Sequence, residues 1–279
     1  MENTEILAKR RKIEESIQKK FHPSLMSPFT KALKEYEMLR DGDRVCVCIS
    51  GGKDSMLMAM LFKELLRYSK VKFEVEYLVM DPGYNEANRK RIEENSALLG
   101  IPITVRDAYI FNSVKNVEKN PCYLCARMRR GYLYSYAKEL GCNKIALGHH
   151  YDDVIETLLM GLLHSGQIQG MMPKLHSTNY DGMELIRPLY LIREEDIIAW
   201  RDYNGLSFLR CACRFTEALE NDEGTSKRQE TKELIRELKK SNPDVDKCIF
   251  RAMGNVHLDT MTGYKTGGVR HSFLEKYDE

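Results

Sequence analysis

Residues 50–55 read SGGKDS and connect a short β-branched run to an apolar run. Glycines let a backbone approach an anion closely, and the N–H groups of a helix's first turn attract it. Ser50 and Ser55 add hydroxyl donors, and Lys53 adds a positive charge. The GxxxxGK[ST] pattern of the P-loop is absent, and a plain turn would not require serines on both sides. The stretch therefore predicts a phosphate site, with a tight strand-to-helix turn as the alternative.

Four cysteines lie close together in pairs. Cys122 and Cys125 form a C-x-x-C at the start of a predicted helix, where the dipole favours thiolate, while Cys211 and Cys213 form a C-x-C. One interpretation of the C-x-x-C is a thioredoxin-like redox dithiol, but the βαβ pattern that surrounds such a motif does not match this sequence. Structural zinc wants four ligands, and C-x-C spacing is unusual for one tetrahedral site. An iron–sulfur cluster on three cysteines is the third interpretation, and it would leave one iron open to exogenous sulfide.

The stretch GHHYDD, residues 148–153, follows another predicted strand. Asp152 and Asp153 can cap the next helix, or one of them can bind the Mg²⁺ that neutralises a triphosphate. His149 and His150 lack a third ligand at metal-binding spacing, so we expect them to line the site.

Strand and helix patterns alternate from Arg44 onward, which predicts an α/β fold with a parallel sheet and helices on both faces. Ligands of such a sheet bind beyond the carboxyl ends of the strands, where SGGKDS and GHHYDD lie. The predicted strands cover 44–50, 73–80, 101–108 and 143–148, and the predicted helices cover 54–69, 85–100, 122–141 and 152–164.

The rest of the chain is predicted to be mostly helical. Exceptions are a hairpin around Asp181-Gly182, a polar loop over 216–229 and a loose Gly-rich tail from about Met261. The predicted division is an N-terminal helical arm (1–40), a central α/β domain (41–215), a helical extension (216–260) and a flexible tail (261–279).

Composition is that of a soluble globular protein, with 43% apolar residues, 30% charged residues and a net charge of +2 among 279 residues. No secretory leader or membrane-length apolar run is visible, so we expect a cytoplasmic protein that contacts no membrane. Basic runs at 9–12, 19–20 and 127–130 predict a local RNA-binding patch, or else solvated helix faces.

SGGxDS after a first strand resembles the PP-loop of the ATP pyrophosphatases, which cleave ATP between the α- and β-phosphates. Residues 120–175, which begin NPCYLCARMRRG, and IRPLYLIREEDI at 186–197 closely resemble the tRNA 2-thiocytidine synthetases of the TtcA family. The likeness runs from about residue 27 to 260. It implies an adenine nucleotide alpha hydrolase-like fold, with ATP and Mg²⁺ as cofactors.

The resemblance also implies a [4Fe–4S] cluster on Cys122, Cys125 and a third cysteine. Family members carry C-x-x-C at that third place and use its first cysteine, which favours Cys211. The C-x-C of this chain leaves Cys213 as the alternative. Cys46 and Cys48 alternate in a strand and are expected in the core.

The expected site roles follow the same resemblance. Asp153 is the favoured Mg²⁺ ligand, Lys53 stabilises developing charge, and Asp54 orients the loop or joins the metal shell. Arg129, with Arg130, is expected near phosphate or the target base. The expected nucleotide-binding residues are Ser50, Gly51, Gly52, Lys53, Asp54, Ser55, Met80 beside the adenine, and Gly148.

The predicted activity is ATP-dependent tRNA thiolation, in which a base carbonyl is adenylated and its oxygen replaced by sulfur. C2 of an anticodon-loop cytidine is the expected position. The expected partners are tRNA and a sulfide or persulfide donor such as a cysteine desulfurase. The sequence is also compatible with a homodimer. The alternatives are a thiouridine synthetase of the same superfamily and a cluster-dependent small-molecule desulfidase that uses no ATP.

Overall fold

The computed structural model describes residues 2–114, 121–209 and 227–277. Within them, one six-stranded sheet carries the fold, in the order β3-β2-β1-β4-β6-β5. Its strands are β1 (Arg44–Ile49), β2 (Glu74–Asp81), β3 (Ile103–Asp107), β4 (Lys144–Ala146), β5 (Lys174–His176) and β6 (Glu184–Ile186). All neighbours pair in parallel except β5, which runs antiparallel to β6. The predicted parallel sheet and the predicted hairpin are therefore confirmed.

The helices fall where the apolar periodicity predicts them. They are α1 (Glu2–Gln18), α2 (Ser27–Glu35), α3 (Lys53–Leu65), α4 (Glu86–Leu99), α5 (Ile110–Val114), α6 (Pro121–Glu139), α7 (Tyr151–Ser165), α8 (Glu194–Tyr203), α9 (Lys227–Ser241) and α10 (Val245–Ala252). A π-helical turn, His22–Met26, occupies the proline-flanked break between α1 and α2. Of the described helices, the short α5 is the one that the sequence patterns did not predict, and none combines the length and hydropathy needed to cross a bilayer.

Local sequence explains the boundaries of these elements. Val45 to Ile49 in β1 are all buried, as expected for a central parallel strand covered on both faces. The Asn85 side chain accepts a hydrogen bond from the Asn88 N–H at the start of α4. Gly100 ends that helix with a φ of 64°, a left-handed conformation that glycine adopts without strain.

Right-handed crossovers decide which face of the sheet each helix covers. The chain moves from β1 to β2 to β3 through α3 and α4, and then returns across the sheet to β4 through α6. The reversal of direction places α6 on the face opposite α3 and α4. Helices therefore cover both faces, as predicted.

The N-terminal helices pack on this α/β layer. The Arg10 guanidinium donates to the Leu98 carbonyl at 3.0 Å and to the Ala97 carbonyl at 2.5 Å, at the C-terminus of α4. The Lys63 ammonium of α3 lies 2.8 Å from the Glu14 carboxylate. Residues 2–40 thus belong to the same compact unit as the sheet.

A second compact unit comprises residues 155–170 and the described residues from 227 onward. Within it the buried carboxylate of Glu156 pairs with Arg228 at 2.9 Å, and Lys239 of α9 pairs with Asp246 of α10 at 2.9 Å. The C-terminal sequence forms a hairpin of β7 (Gly263–Thr266) and β8 (Val269–Ser272).

Two sequence predictions about this C-terminal region are wrong in detail. Residues 227–229 form the first turn of helix α9 and are not the end of a polar loop. Lys, Arg and Gln at these positions favour helix, as do most of the residues that follow them. Residues 263–272 form a hairpin instead of a loose tail. Gly267 and Gly268 take φ values of 56° and 81°, which a two-residue hairpin turn requires, so these glycines indicate a turn and not disorder.

Candidate active site

The SGGKDS loop is held in shape by its own serines. The Ser50 backbone N–H donates to the Ser55 hydroxyl oxygen at 3.1 Å, and that hydroxyl donates to the Gly52 carbonyl at 3.0 Å. The two hydroxyl oxygens lie 3.2 Å apart. These contacts fold the loop back over the first turn of α3. The serines therefore build the turn itself, in addition to any contact with an anion.

Gly51 and Gly52 differ in what a side chain would meet. At Gly51, where φ is 83°, a Cβ would lie 2.6 Å from the Ile92 side chain and 2.9 Å from the Leu209 side chain. At Gly52 the nearest atoms are the Ser50 hydroxyl at 3.6 Å and the Leu209 carbonyl at 3.7 Å, both ordinary contact distances. The fold requires glycine at position 51. Position 52 accepts a Cβ at ordinary contact distances, and it lies at the N-terminus of α3, where an anion would bind.

Gly148 brings the end of β4 against the same helix start. A Cβ there would lie 3.2 Å from the Ser55 backbone nitrogen and 3.3 Å from the Asp54 carbonyl carbon. These are fixed backbone atoms that cannot move aside cheaply. The absence of a side chain at Gly148 therefore lets two strand-to-helix connections meet at the carboxyl edge of the sheet.

Lys53 lies between two carboxylates at this edge. Its ammonium is 3.0 Å from Asp54 and 3.0 Å from Glu194, the first residue of α8. Burial acts to lower the pKa of Lys53, but the charges and hydrogen bonds of Asp54 and Glu194 outweigh it, and the pKa lies above its ordinary value. Lys53 is therefore a fixed positive charge at neutral pH.

The acidic residues of GHHYDD cap helices. The Asp153 carboxylate accepts from the His150 N–H at 3.0 Å, at the start of α7. The Asp152 carboxylate accepts from the Glu194 N–H at 2.7 Å, at the start of α8. Asp153 therefore caps the next helix, as expected, whereas Asp152 caps α8 and joins it to α7.

The imidazole of His150 is buried among carboxylates. Its Nε2 lies 3.5 Å from Asp153 and 3.9 Å from Asp54, and its Nδ1 lies 3.7 Å from Asp152. Asp54 and Asp153 therefore face one region from the first turns of two different helices, α3 and α7. In the part of the chain that the structure describes, no group of three or more His, Cys, Asp or Glu side chains is arranged as a metal site.

A cavity of about 250 Å³ opens beside the loop and brings many of the predicted residues together. His149 and Cys48 also line it, so Cys48 is a wall residue as well as a buried one. Tyr84 is a lining residue that the sequence patterns did not single out. The predicted site residues that line the cavity are Ser50, Asp54, Ser55, Met80, Arg129 and Gly148.

The C-x-x-C helix begins next to this cavity. Cys125, in the first turns of α6, is buried in a cluster with Met80 and Phe111, and Met80 also lines the cavity. The Arg129 guanidinium, one turn further on, lies 5.4 Å from the centre of the Phe111 ring. Cys122 lies in the first turn of α6. The positions of the Cys122 side chain and of Cys211 and Cys213 fall outside the described residues.

Two charged residues of IRPLYLIREEDI were missed as site residues. Glu194 holds Lys53, as described above. Arg187 follows β6 at the same edge; burial and the positive charge of Arg130 lower the pKa of Arg187, while the Asp153 charge acts in the opposite direction. The available signal was their position between a strand and a helix, the same pattern that revealed SGGKDS and GHHYDD.

Comparison with known proteins decides the family. A PP-loop domain family matches residues 18–213. The tRNA-cytidine(32) 2-sulfurtransferase of Coxiella burnetii (strain CbuG_Q212) is 38% identical over 244 residues, which are 86% of this chain and 92% of that protein. The protein of the same name from Pelobacter propionicus is 35% identical over 230 residues, 81% of this chain and 83% of the relative.

The chain belongs to the tRNA-cytidine(32) 2-sulfurtransferase (TtcA) family. The predicted family, and with it the prediction of an enzyme of the tRNA sulfurtransferase class, is confirmed. Among solved structures, the U34-tRNA thiolase NcsA from Methanococcus maripaludis with its [4Fe–4S] cluster is similar, with a TM-score of 0.67. It is 21% identical and the alignment covers 84% of this chain and 79% of that one, which confirms the predicted PP-loop fold.

Proposed function

We propose that this TtcA-family protein uses ATP to replace the O2 oxygen of an anticodon-loop cytidine in tRNA with sulfur. The names of the relatives indicate cytidine 32 as the position. One observation carries the proposal. A single cavity is lined by Ser50 and Ser55 of the phosphate-type loop and by Arg129 of the C-x-x-C helix. Met80 of β2 lines it too and packs in one cluster with Cys125.

A carbonyl oxygen on a pyrimidine is a poor leaving group and has to be activated before sulfur can replace it. Its attack on the α-phosphorus of ATP forms an O–P bond and releases pyrophosphate. Attack of sulfide on C2 then breaks the C–O bond and releases AMP. Negative charge grows on the phosphates in the first step, so fixed positive groups at that place lower the barrier.

The loop supplies these groups. The N-terminus of α3, which begins directly after Gly52, is proposed to bind the phosphates through its backbone N–H groups. Lys53 contributes a positive charge that its carboxylate partners keep protonated. Asp54 and Glu194 also fix the ammonium in place, so little reorganisation accompanies the reaction. Met80 is proposed to contact the adenine and Gly148 to allow the close approach of the β4 loop.

The residues present fit a Mg²⁺ ion. Asp54 of α3 and Asp153 of α7 both face the imidazole of His150, and carboxylate oxygens are the ligands that Mg²⁺ prefers. We propose that these two carboxylates hold it, with Asp153 as the main ligand. When bound, the ion neutralises part of the triphosphate charge.

The donor set also fits an iron–sulfur cluster. Cys125 lies beside the cavity, and Cys122 precedes it by one helical turn at the N-terminus of α6, where thiolate is favoured. We propose that Cys122 and Cys125 hold a [4Fe–4S] cluster together with Cys211, Cys213 being the alternative. When bound, three-cysteine ligation supplies an iron at which sulfide can be held.

Arg129 is proposed to contact the target nucleotide, because its side chain lines the cavity next to the C-x-x-C helix. The base has to leave its stack in the RNA loop to enter the cavity. The proposed partners are tRNA and a sulfide or persulfide donor, and the cytoplasm is the proposed location.

The two alternatives make different predictions. A thiouridine synthetase would use the same loop and cysteines but modify uridine. A desulfidase that uses no ATP would leave the SGGKDS loop at the N-terminus of α3 without an anion to bind, which counts against that alternative.

The test is pyrophosphate release by the anaerobically purified protein. We expect release to require Mg²⁺-ATP and unmodified tRNA, and sulfide to be needed for product but not for nucleotide binding. Nucleoside analysis of the product distinguishes cytidine from uridine. An absence of tRNA-dependent pyrophosphate release would contradict the proposal.

A further inference from the structure

A groove of about 470 Å³ lies between α1 and the end of α8, away from the candidate active site. Its buried residues are Ile13 and Ser16 of α1, exposed by 1% and 5%. The Asn204 side-chain N–H donates to the Ser16 hydroxyl oxygen at 3.1 Å and to the Trp200 carbonyl at 2.8 Å. These contacts join α8 to α1 and give the groove a fixed base.

Positive charge is concentrated on this groove. Lys9, Lys12 and Lys20 line it, and within the described chain none of the three forms an ion pair with a carboxylate. Lys19 also lines it but is paired with Glu15 at 3.2 Å. Three solvated ammonium groups therefore remain available to an anionic partner.

Lys20 is held toward the groove by an aromatic residue. Its ammonium lies 3.7 Å from the centre of the Tyr203 ring, a cation–π contact. The Tyr203 ring in turn meets Phe21 edge to face, with 5.5 Å between ring centres. Tyr203 is 58% exposed and Lys20 is exposed as well, so both side chains are accessible to a ligand.

The spacing suits an extended polyanion. Lys9 and Lys12 are one helical turn apart on α1, and at 1.5 Å per residue Lys9 lies about 14 Å from the end of that helix at Gln18. Lys20 follows two residues later, in the turn after α1. Arg10 anchors α1 on α4 through the Leu98 carbonyl, so Lys9 and Lys12 are carried on a fixed helix, while Lys20 is held by Tyr203. A compact ligand with one charge would use a single lysine of such a row.

The groove lies within reach of a nucleic acid bound at the site. Helix α8 begins at Glu194, which contacts Lys53, and ends at Tyr203 in the groove. Ten residues of helix correspond to about 15 Å. The groove therefore lies about one helix length from Lys53, a distance that an RNA bound at the cavity can span.

We propose that this groove binds backbone phosphates of the tRNA substrate through Lys9, Lys12 and Lys20. This inference rests on the proposed function. The contacts are to phosphate and carry no base specificity, so they position the RNA and raise its affinity without choosing the modified base.

The test uses a triple variant, Lys9→Gln with Lys12→Gln and Lys20→Gln. A second triple variant at Lys34, Lys70 and Lys138 serves as the control. These are exposed lysines outside the groove, so the loss of charge is the same. Equilibrium binding of tRNA is measured as a function of NaCl concentration, and ATP affinity is measured in parallel.

We expect the groove variant to bind tRNA at least tenfold more weakly than the control at about 0.15 M salt. Each lost phosphate contact lowers the slope of log K against log salt by about one, so the slope should fall by about three. ATP affinity should equal that of the wild type. Thiolation at saturating tRNA should be retained, because the groove positions RNA and performs no chemistry.

The outcomes separate the two proposals. If the wild type binds and thiolates tRNA while the groove variant matches the control in affinity and slope, the groove is not a tRNA site. The same conclusion follows if the groove variant keeps its tRNA affinity but loses an acidic protein partner. If the wild type binds no tRNA at any salt concentration, the proposed function fails and this inference fails with it.

Discussion

The Lys53 ammonium lies 3.0 Å from the carboxylate of Glu194, although 141 residues of chain separate them. The pair joins the first turn of α3 to the first turn of α8 at the carboxyl edge of the sheet. The same ammonium contacts Asp54 at 3.0 Å. Lys53 is thus positioned by two carboxylates before any substrate binds. The contribution of its positive charge and the contribution of its fixed position can therefore be tested separately.

Replacing Lys53 by Met should lower the rate of pyrophosphate release by about 10²- to 10³-fold, because a preorganised positive charge is lost where negative charge develops. Glu194→Gln should cost about tenfold, because Asp54 still holds the ammonium. Single-turnover assays and calorimetric ATP titrations distinguish the two. Equal rates of pyrophosphate release for wild type and Lys53→Met would show that the Lys53 charge does not contribute to the reaction.

The two loop glycines should respond differently to substitution. Gly52→Val should abolish ATP binding with little loss of fold, because its Cβ makes only ordinary contacts while the side chain fills the approach to the α3 N-terminus. Gly51→Ala should lower the free energy of unfolding by about 1–3 kcal/mol, from its φ of 83° and the contact with Ile92. Calorimetric titration measures the ATP affinity of the Gly52→Val protein, and urea unfolding measures the stability of both variants. Unchanged nucleotide affinity in a folded Gly52→Val protein would disprove the phosphate role of the loop.

Thiol labelling tests which cysteines belong to the core. A hydrogen bond with Cys46 and burial raise the pKa of Cys142 well above its ordinary range, so it stays a neutral thiol at pH 8. Because the thiolate is the nucleophile, iodoacetamide should modify exposed Cys248 quickly and Cys142 only on unfolding. Peptide mass spectrometry at timed intervals gives the rates. Comparable rates for these two cysteines would contradict the packing around β4.

The buried cation at the start of β4 provides a stability prediction. The Lys144 ammonium pairs with Glu184 on β6 and lies 3.3 Å from Asp43. Lys144→Met leaves these two carboxylates without their buried partner and should cost about 3–5 kcal/mol at neutral pH.

The cost should depend on pH. Burial acts to raise the pKa of Glu184, but Lys144 outweighs it and the pKa is lowered. The stabilisation is therefore fully present above the ordinary glutamate range and is lost as pH falls through the lowered pKa. Urea unfolding of wild type and variant should give a difference that shrinks in acid. A difference that is constant from pH 7 to pH 3 would contradict this ion pair.

Local patterns were sufficient for most of the fold. The β-branched run of β1, the Asn85 cap and Gly100 each determine their elements through nearby residues, and the alternation of strands and helices determines the parallel sheet. The hairpin at 263–272 was missed because Gly267 and Gly268 serve a turn, whereas composition alone made them appear to mark a loose tail.

The site was predicted less completely because its contacts are long-range. SGGKDS and GHHYDD revealed residues on their own loops, but nothing local connects Glu194 to Lys53 or Asp152 to the start of α8. The predicted metal ligand Asp153 is seen as a helix cap, and its role toward Mg²⁺ stays a prediction. The third cluster cysteine, Cys211 or Cys213, lies outside the described residues.

Formation of 2-thiocytidine in tRNA tests the central claim most directly. Anaerobically prepared protein is incubated with unmodified tRNA, sulfide and Mg²⁺-ATP, and the digested nucleosides are quantified by mass spectrometry. We expect 2-thiocytidine in the wild type and none without ATP. Cys122→Ala, Cys125→Ala and Cys211→Ala should give none and lose bound iron while still binding ATP, whereas Cys213→Ala and Cys248→Ala should be active. Normal 2-thiocytidine formation by Cys122→Ala, or a wild type that thiolates tRNA without ATP, would contradict the account.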